Sequence, residues 1–494
     1  MKSKLKILMV YSEVAPFSKT GGLGDVAGGL PKALKSMEHD VRIITPQYQS
    51  INERKYVLRD VIRLQNIPVS LGSQQQMIHV KSAFLPDSKV QVYFIDHKPS
   101  FFRKGFYVDP KTGKDHSDNW FRFALFSKGA LETLVRLHWQ PDIIHCNDWQ
   151  TALIPFFLKT ELKENPFFTH IRTVLTVHNF SFQGNFDAQC ASSLGIDLSS
   201  IPEALRPVVD GQISFLKAGL LYADVINTVS EQHAKDAQSS HDSGFGFETL
   251  LSKRKRDFFG IVNGIDDRIW NPESDPFIPV HYSMHSLEGK KANKKALLER
   301  FGLSFHPEIP VIAMVSRLTD QKGIDLICSA FEEILSLGVH FVLLGQGEEK
   351  YHRFFAEKKK AHSKTFGVSF EFNEALAHLM IAGADMYLMP SRFEPCGLTQ
   401  LYSQKYGTVP IVSPTGGLVD TVEPFRISTG KGTGFFLSSL TVKSLIQTLK
   451  QALKMYSNPQ IWVRIQKNGM KKDFSWESAA KKYVQLYHRC MGKR

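Results

Sequence analysis

The stretch Ser391-Arg-Phe-Glu-Pro-Cys-Gly-Leu-Thr-Gln-Leu-Tyr402 puts one carboxylate, Glu394, beside a turn whose backbone donors could face an anion. The apolar run Met386–Met389 ahead of it reads as a buried strand, and Pro390 and Pro395 bracket a loop. After Gly397 the spacing of Leu398, Leu401 and Tyr402 predicts a helix, so Cys396, Gly397, Leu398 and Thr399 would supply the open N–H groups of its first turn. A second strand-to-helix loop, Ser316-Arg-Leu-Thr-Asp-Gln-Lys-Gly323, follows the apolar run Val311–Val315 and carries two cations, Arg317 and Lys322. Two cations beside helix starts suit a diphosphate.

A glycine-rich loop, Lys19-Thr-Gly-Gly-Leu-Gly-Asp-Val-Ala-Gly28, lies between the first strand and the first helix. Its Gly22, Gly24 and Gly28 are spaced G-x-G-x-x-x-G rather than as the dinucleotide fingerprint, and the next strand ends in Thr45-Pro46 instead of an acid for a ribose. These departures disfavour a dehydrogenase. Lys19 at the head of such a loop, with glycines that admit close backbone approach, suits a sugar or a phosphate. His145-Cys-Asn-Asp-Trp149 and His178-Asn-Phe-Ser-Phe-Gln-Gly184 each follow a strand. Asp148 and His178 there offer polar forks for hydroxyls, and Trp149 offers a flat ring for a sugar face. No Asp-x-Asp pair occurs, so the commonest ligands of a metal-held nucleotide diphosphate are missing and Arg317 with Lys322 would neutralise the charge.

These loops need a scaffold that delivers strand ends to a common place. Runs at Lys6–Tyr11, Asp40–Thr45, Val90–Ile95, Asp142–His145, Thr173–Val177 and Asp224–Val229 read as strands of one sheet alternating with helices. A second set begins near Ile261 and includes Val311–Val315, Phe341–Leu344, Met386–Met389 and Thr408–Val412. Both halves therefore read as doubly wound α/β domains, each offering a ligand site at the carboxyl ends of its strands across a shared cleft. At 494 residues, 43% hydrophobic, the chain exceeds what one core serves.

The formal net charge is +13, yet Lys253–Arg256, Lys290–Lys291 with Lys294–Lys295, and Lys358–Lys360 are scattered without a nucleic-acid motif, and are read as solvated faces. No apolar run approaches a membrane span, and Met1-Lys-Ser-Lys-Leu-Lys6 leads directly into a strand, so a cytoplasmic protein is expected. Five dispersed cysteines predict reduced thiols and no zinc site, with Cys146 and Cys328 as small buried hydrophobes.

From Lys19-Thr-Gly-Gly through Val262-Asn-Gly-Ile-Asp266, Ser316-Arg-Leu-Thr, Gln321-Lys-Gly, Ser391–Thr399 and Thr415-Gly-Gly-Leu, the chain resembles bacterial glycogen synthases, the ADP-glucose-dependent relatives of plant starch synthases. The resemblance implies the glycosyltransferase B-type fold, two Rossmann-like domains facing a cleft: residues 1–258 on the glucan acceptor side, 259–474 on the ADP-glucose side, and a last helix in 475–494 crossing back. It implies that Arg317 and Lys322 hold the donor phosphates, Glu394 the transferred glucose, and Lys19 the donor from the opposite domain. Gly21, Gly22, Asp25 and Asn263 match ligand loops, Phe372 falls where an aromatic meets adenine, and Cys396, Gly397, Leu398 and Thr399 match the phosphate-facing turn. His178 and Asp148 match positions near the reacting sugar, and Glu13, Trp149 and Asn179 the acceptor side. No cofactor or metal is implied, and the partners would be ADP-glucose and glycogen or another α-1,4-glucan, with neither nucleic acid nor membrane.

Two departures stand out. Asn147 replaces the second histidine of the family's His-x-His-Asp-Trp, and Gly24 replaces a usual alanine. Tyr402 occupies the position of the wider superfamily's second glutamate, a feature shared with glycogen and starch synthases. A retaining transferase using UDP-glucose or another acceptor, and an inactive glucan- or nucleotide-binding protein, are the alternative readings.

Overall fold

The structure is a computed structural model that describes residues 4–371 and 373–492. Phe372, expected against adenine, lies outside the described residues. The chain divides into two compact units. The first runs to Val229 and takes in Ala234–Gly264 and the chain from Trp476 onward; the second comprises Ser230–His233 and Ile265–Ser475.

The first unit is built on a ten-stranded sheet. Seven strands run parallel in the order Phe258–Gly260, Val225–Thr228, Arg172–Val177, Ile143–Asn147, Lys6–Val10, Asp40–Pro46 and Gln91–Asp96. The central strands are near-continuous apolar runs because helices cover both faces. Phe258–Gly260 pairs with Val225–Thr228, so the expectation that the second set begins near Ile261 is corrected: the second sheet starts at Val311. Sequence reading also missed the antiparallel edge formed by Ile67–Leu71, Gln74–Phe84 and Arg59–Asp60. The helix Trp476–Met491 packs against the helix Gly22–Ser36 and the strand Arg172–Val177. Gly29 makes that seat, since a β-carbon there would lie 2.0 Å from Trp476 Nε1.

The second unit has six parallel strands in the order Phe366–Ser369, His340–Leu344, Val311–Val315, Met386–Met389, Val409–Val412 and Phe435–Phe436. The helix Ile324–Ser336 buries Ile324, Ile327, Ala330, Phe331 and Ile334, the i, i+3, i+4 stripe that fastens it to the sheet.

The solvated reading of the lysine clusters fails at two positions. Lys290 and Lys294 are buried, Lys290 Nζ donating to the Ala382 carbonyl at 2.8 Å and Thr408 Oγ1 at 2.6 Å. Lys294 Nζ pairs with Asp385 at 2.8 Å. Burial brings the Lys290 ammonium down to about 7. Cys146 is buried as expected, whereas Cys328 is half-buried.

Candidate active site

In an open parallel sheet a ligand site forms where the strand order reverses, because the loops on either side turn away from each other and leave room between them. In the second unit the chain winds outward one way from Val311–Val315 and the other way from Met386–Met389, so the reversal lies between these two neighbours. The loops that leave them carry Arg317 and Lys322 on one side and Glu394 on the other. Lys322 Nζ lies 2.5 Å from Glu394 Oε2, with the two side chains 16% and 7% exposed. Ser391 Oγ donates to the same oxygen at 3.1 Å. Arg317 is exposed and donates to Gln321 Oε1 at 3.2 Å.

Backbone joins these loops closely. Arg392 N–H donates to the Gln321 carbonyl at 2.8 Å, and Gly417 N–H to the Glu394 carbonyl at 3.0 Å. Gly323 has φ 71°, and a β-carbon there would sit 2.2 Å from the Pro390 carbonyl oxygen; Gly416 has φ 43° and would meet the Glu394 carbonyl oxygen at 2.1 Å. Both glycines are required by conformation and by space.

The turn after Glu394 leads into the helix Thr399–Lys405, which has no side-chain cap at Leu398. Cys396 is buried, while Gly397, Leu398 and Thr399 are half-buried. Gln400 Nε2 donates to the Cys396 and Gly397 carbonyls at 2.9 and 3.1 Å and so shapes the turn. Sequence reading missed Ser391, Gln321 and Gln400 as supports. Their signal was their place inside the same two motifs.

In the first unit the strand order reverses between Lys6–Val10 and Ile143–Asn147, and the loops that follow carry Glu13 and Lys19 on one side and Asp148 on the other. Lys19, Gly21 and Gly22 are exposed, and Lys19 Nζ pairs with Asp25 at 2.6 Å. The helix Gly22–Ser36 starts without a side-chain cap, and a β-carbon at Gly21 would meet nothing within 4 Å.

Asp148 and His178 meet. The Asp148 carboxylate accepts the His178 backbone N–H at 2.7 Å, and His178 Nε2 donates to Asn147 Oδ1 at 3.0 Å. Asn147 thus orients the imidazole even though it cannot carry a proton. Burial brings His178 down to about 3, so the ring is neutral. Burial first, and the Glu13 charge, push Asp148 up to about 7, against the His178 and Asn179 backbone donors. Asp148 has φ 57° and ψ −178°, a region populated almost wholly by glycine, and such stored strain clusters at functional positions. His145 is core, bonded to Tyr487 and Thr176.

Trp149 does not present the open face expected of it. It is 7% exposed, packed against Phe123, Phe186 and Phe215 and seated on Gly184. Asn179 is half-buried and its side chain accepts the Ser181 N–H at 3.0 Å, shaping the loop after His178. Asn263 is 6% exposed, and its buried Oδ1 has no partner among the described residues.

Residues 6–253 match the family described as starch synthase catalytic domain, and residues 298–471 match glycosyl transferases group 1. A glycogen synthase of Syntrophotalea carbinolica is 41% identical over 488 residues, covering 99% of each chain. Glycogen synthase 1 of Geobacter metallireducens is 42% identical over 492 residues, covering 99% of this chain and 97% of that one. Among solved structures, the catalytic domain of starch synthase IV from Arabidopsis thaliana, bound to ADP and acarbose, superposes with a TM-score of 0.89 at 32% identity, covering 99% of this chain and 100% of that one. Sucrose-phosphate synthase from Thermosynechococcus elongatus shares the fold at TM-score 0.58 and 16% identity, covering 98% and 99%.

Proposed function

This chain belongs to the glycogen synthase family, and from that premise we propose that it elongates α-1,4-glucan by transferring glucose from ADP-glucose to the nonreducing-end 4-hydroxyl with retention at the anomeric carbon. The observation that carries the mechanism is the Lys322–Glu394 pair with Arg317 at the strand reversal of the second unit. A diphosphate arriving there takes its countercharge from Lys322 and Arg317, and Lys322 exchanges a carboxylate partner for a phosphate. Glu394, released from its ion pair with the lysine, accepts hydrogen bonds from the sugar hydroxyls.

The bond between the anomeric carbon and the β-phosphate oxygen breaks, ADP leaves with the bonding pair, and the acceptor oxygen attacks from the face ADP vacates. Its proton passes to the departing phosphate. The cations stabilise the negative charge that grows on the leaving group, which is where preorganised charge contributes most. His178, neutral at working pH, is suited to support the developing oxocarbenium ion with its ring or carbonyl rather than to transfer a proton. Asp148, which accepts the His178 backbone N–H, is assigned to the same role by family resemblance. On the first unit Lys19, Gly21, Gly22 and Asp25 are donor-directed and Asn179 is acceptor-directed; on the second, the turn Cys396–Thr399 faces phosphate.

No helix among the described residues is long and apolar enough to cross a membrane. A cytoplasmic site of action accords with the substrates proposed.

The test is release of ADP or UDP from ADP-glucose and UDP-glucose, with and without glycogen and with excess EDTA. ADP release that requires glycogen, exceeds UDP release and survives EDTA is expected. A clear UDP-glucose preference, or EDTA inhibition rescued by a divalent cation, overturns the donor assignment or the metal-free account respectively.

A further inference from the structure

Glu13, matched to the acceptor side by family resemblance, is committed to partners within the protein. It is 3% exposed, and donors already occupy both carboxylate oxygens. Oε2 accepts the backbone N–H of Thr20; Oε1 accepts the Thr20 hydroxyl at 2.5 Å and the Tyr107 hydroxyl at 2.8 Å. Tyr107 also meets Ser12 Oγ at 2.8 Å, which completes the set when Ser12 donates to the phenol oxygen and the phenol donates to Glu13.

Thr20 sits between Lys19 and Gly21, in the exposed loop that opens the uncapped helix. The base of this loop is tied by Ser18 N–H to the Val14 carbonyl at 2.9 Å and Ala15 N–H to the Gly24 carbonyl at 3.1 Å. Its tip is held by Glu13 through the bonds to Thr20. The Tyr107 segment is itself fastened, because its carbonyl accepts Asn119 Nδ2 at 2.9 Å and Phe106 stacks on Tyr48 at 4.2 Å.

We propose that Glu13 is a positioning residue that clamps the Lys19 loop in its donor-receiving conformation and ties that loop to the Tyr107 segment, rather than a direct ligand of the glucan. The inference rests on the Lys19 loop being donor-directed. A carboxylate suits this post because it accepts from three donors at once; an amide in its place would turn two N–H groups toward donors. Charge-assisted bonds to a backbone amide and hydroxyl are the strong kind, and losing their geometry loosens the loop that carries Lys19.

The experiment compares Glu13→Gln, Thr20→Val and Tyr107→Phe with wild type. Glu13→Gln is expected to raise KM for ADP-glucose about tenfold or more, on the scale of a lost charged hydrogen bond, and to leave KM for glycogen within about twofold. Thr20→Val, a change at an exposed position that keeps the backbone donor, moves KM for ADP-glucose in the same direction by less, and Thr20→Ser restores it. Tyr107→Phe shifts it least. A rise in glycogen KM with ADP-glucose KM unchanged makes Glu13 an acceptor ligand and overturns the proposal; so does no change in either, or an equal rise in both. Amide hydrogen exchange at residues 19–24 provides an activity-independent arm: it accelerates in Glu13→Gln if the clamp exists and stays at the wild-type rate if it does not. Wild-type protein that fails to turn over ADP-glucose while exchange still accelerates would refute the donor reading and leave the clamp standing.

Discussion

Replacing Lys322 by alanine tests both halves of the proposed site, because the lysine pairs with Glu394 in the fold and is proposed to act on the donor phosphates in the chemistry. At 2.5 Å, with an effective dielectric of about 20, the gross attraction between Lys322 and Glu394 is about 7 kcal/mol, and desolvation of both groups opposes most of it. Removing the lysine forfeits that attraction and leaves a 7%-exposed carboxylate with the Ser391 hydroxyl at 3.1 Å as a remaining donor. Breaking a buried pair from one side costs about 3–5 kcal/mol, and the 16% exposure of Lys322, which lets water follow it in, places this case near 3. For a unit of this size each kcal/mol moves the melting point by about 2–4 °C, so Lys322→Ala should melt about 6–12 °C lower. Adding Glu394→Gln removes the stranded charge and should recover about half of that loss, a coupling read from the double-mutant cycle. Turnover should fall about a hundredfold or more in Lys322→Ala and stay low in the double variant, because the transition-state cation is gone in both. Arg317→Ala should lose turnover comparably yet melt like wild type, since its guanidinium is exposed. Scanning calorimetry and ADP release from ADP-glucose with glycogen provide the readings. Wild-type melting of Lys322→Ala with additive effects in the cycle would refute the pair, and near wild-type rates in both single variants would refute the leaving-group role.

Glu394→Gln should cut turnover severely without trapping sugar on the protein: intact-mass spectrometry after incubation with a slow fluorinated donor is expected to show unmodified enzyme and product of retained configuration, and a stable glucosyl adduct on Glu394 or Asp148 would establish a covalent route instead. Stability should fall as pH drops below about 6.5, because burial holds His145 and His178 near 3 and His233 near 4 in the folded state while the unfolded chain takes up protons at these rings. Asp148 works in the opposite sense: its raised folded value, about 7, favours the folded state below the ordinary carboxylate range and loses that contribution as pH rises from about 4 through 7. Asp148→Asn should therefore gain stability relative to wild type at pH 8 and lose that gain at pH 4, which melting curves across the range would reveal; a gain independent of pH would show that desolvation does not raise the carboxyl.

The scaffold was legible because parallel strands covered on both faces must be apolar throughout, and runs such as Val311–Val315 and Met386–Met389 announce themselves. The two-residue and alternating strands of the antiparallel edge did not, since Arg59–Asp60 and Gln74–Phe84 carry polar residues to solvent and owe their extended shape to a neighbour across the ladder. Lys322 and Glu394 stood out by residue type and motif, 72 residues apart, but their direct pairing depended on the two strands becoming neighbours across the reversal. Trp149 and Glu13 show the limit most clearly. Local sequence offered an aromatic ring at a strand end and the family resemblance put Glu13 on the acceptor side, while Phe123, Phe186 and Phe215 close around the ring and Thr20 with Tyr107 engage the acid. The same holds for Lys290 and Lys294, charged residues in a polar run that the packing of Ala382, Thr408 and Asp385 drew inside. The sequence by itself determined which residues could carry the chemistry and which strands would bring them to loop ends, because residue type and short-range periodicity are local properties. Which of those groups remain free to meet a ligand was decided only by the tertiary structure, because burial and hydrogen-bond partners come from segments tens to hundreds of residues away.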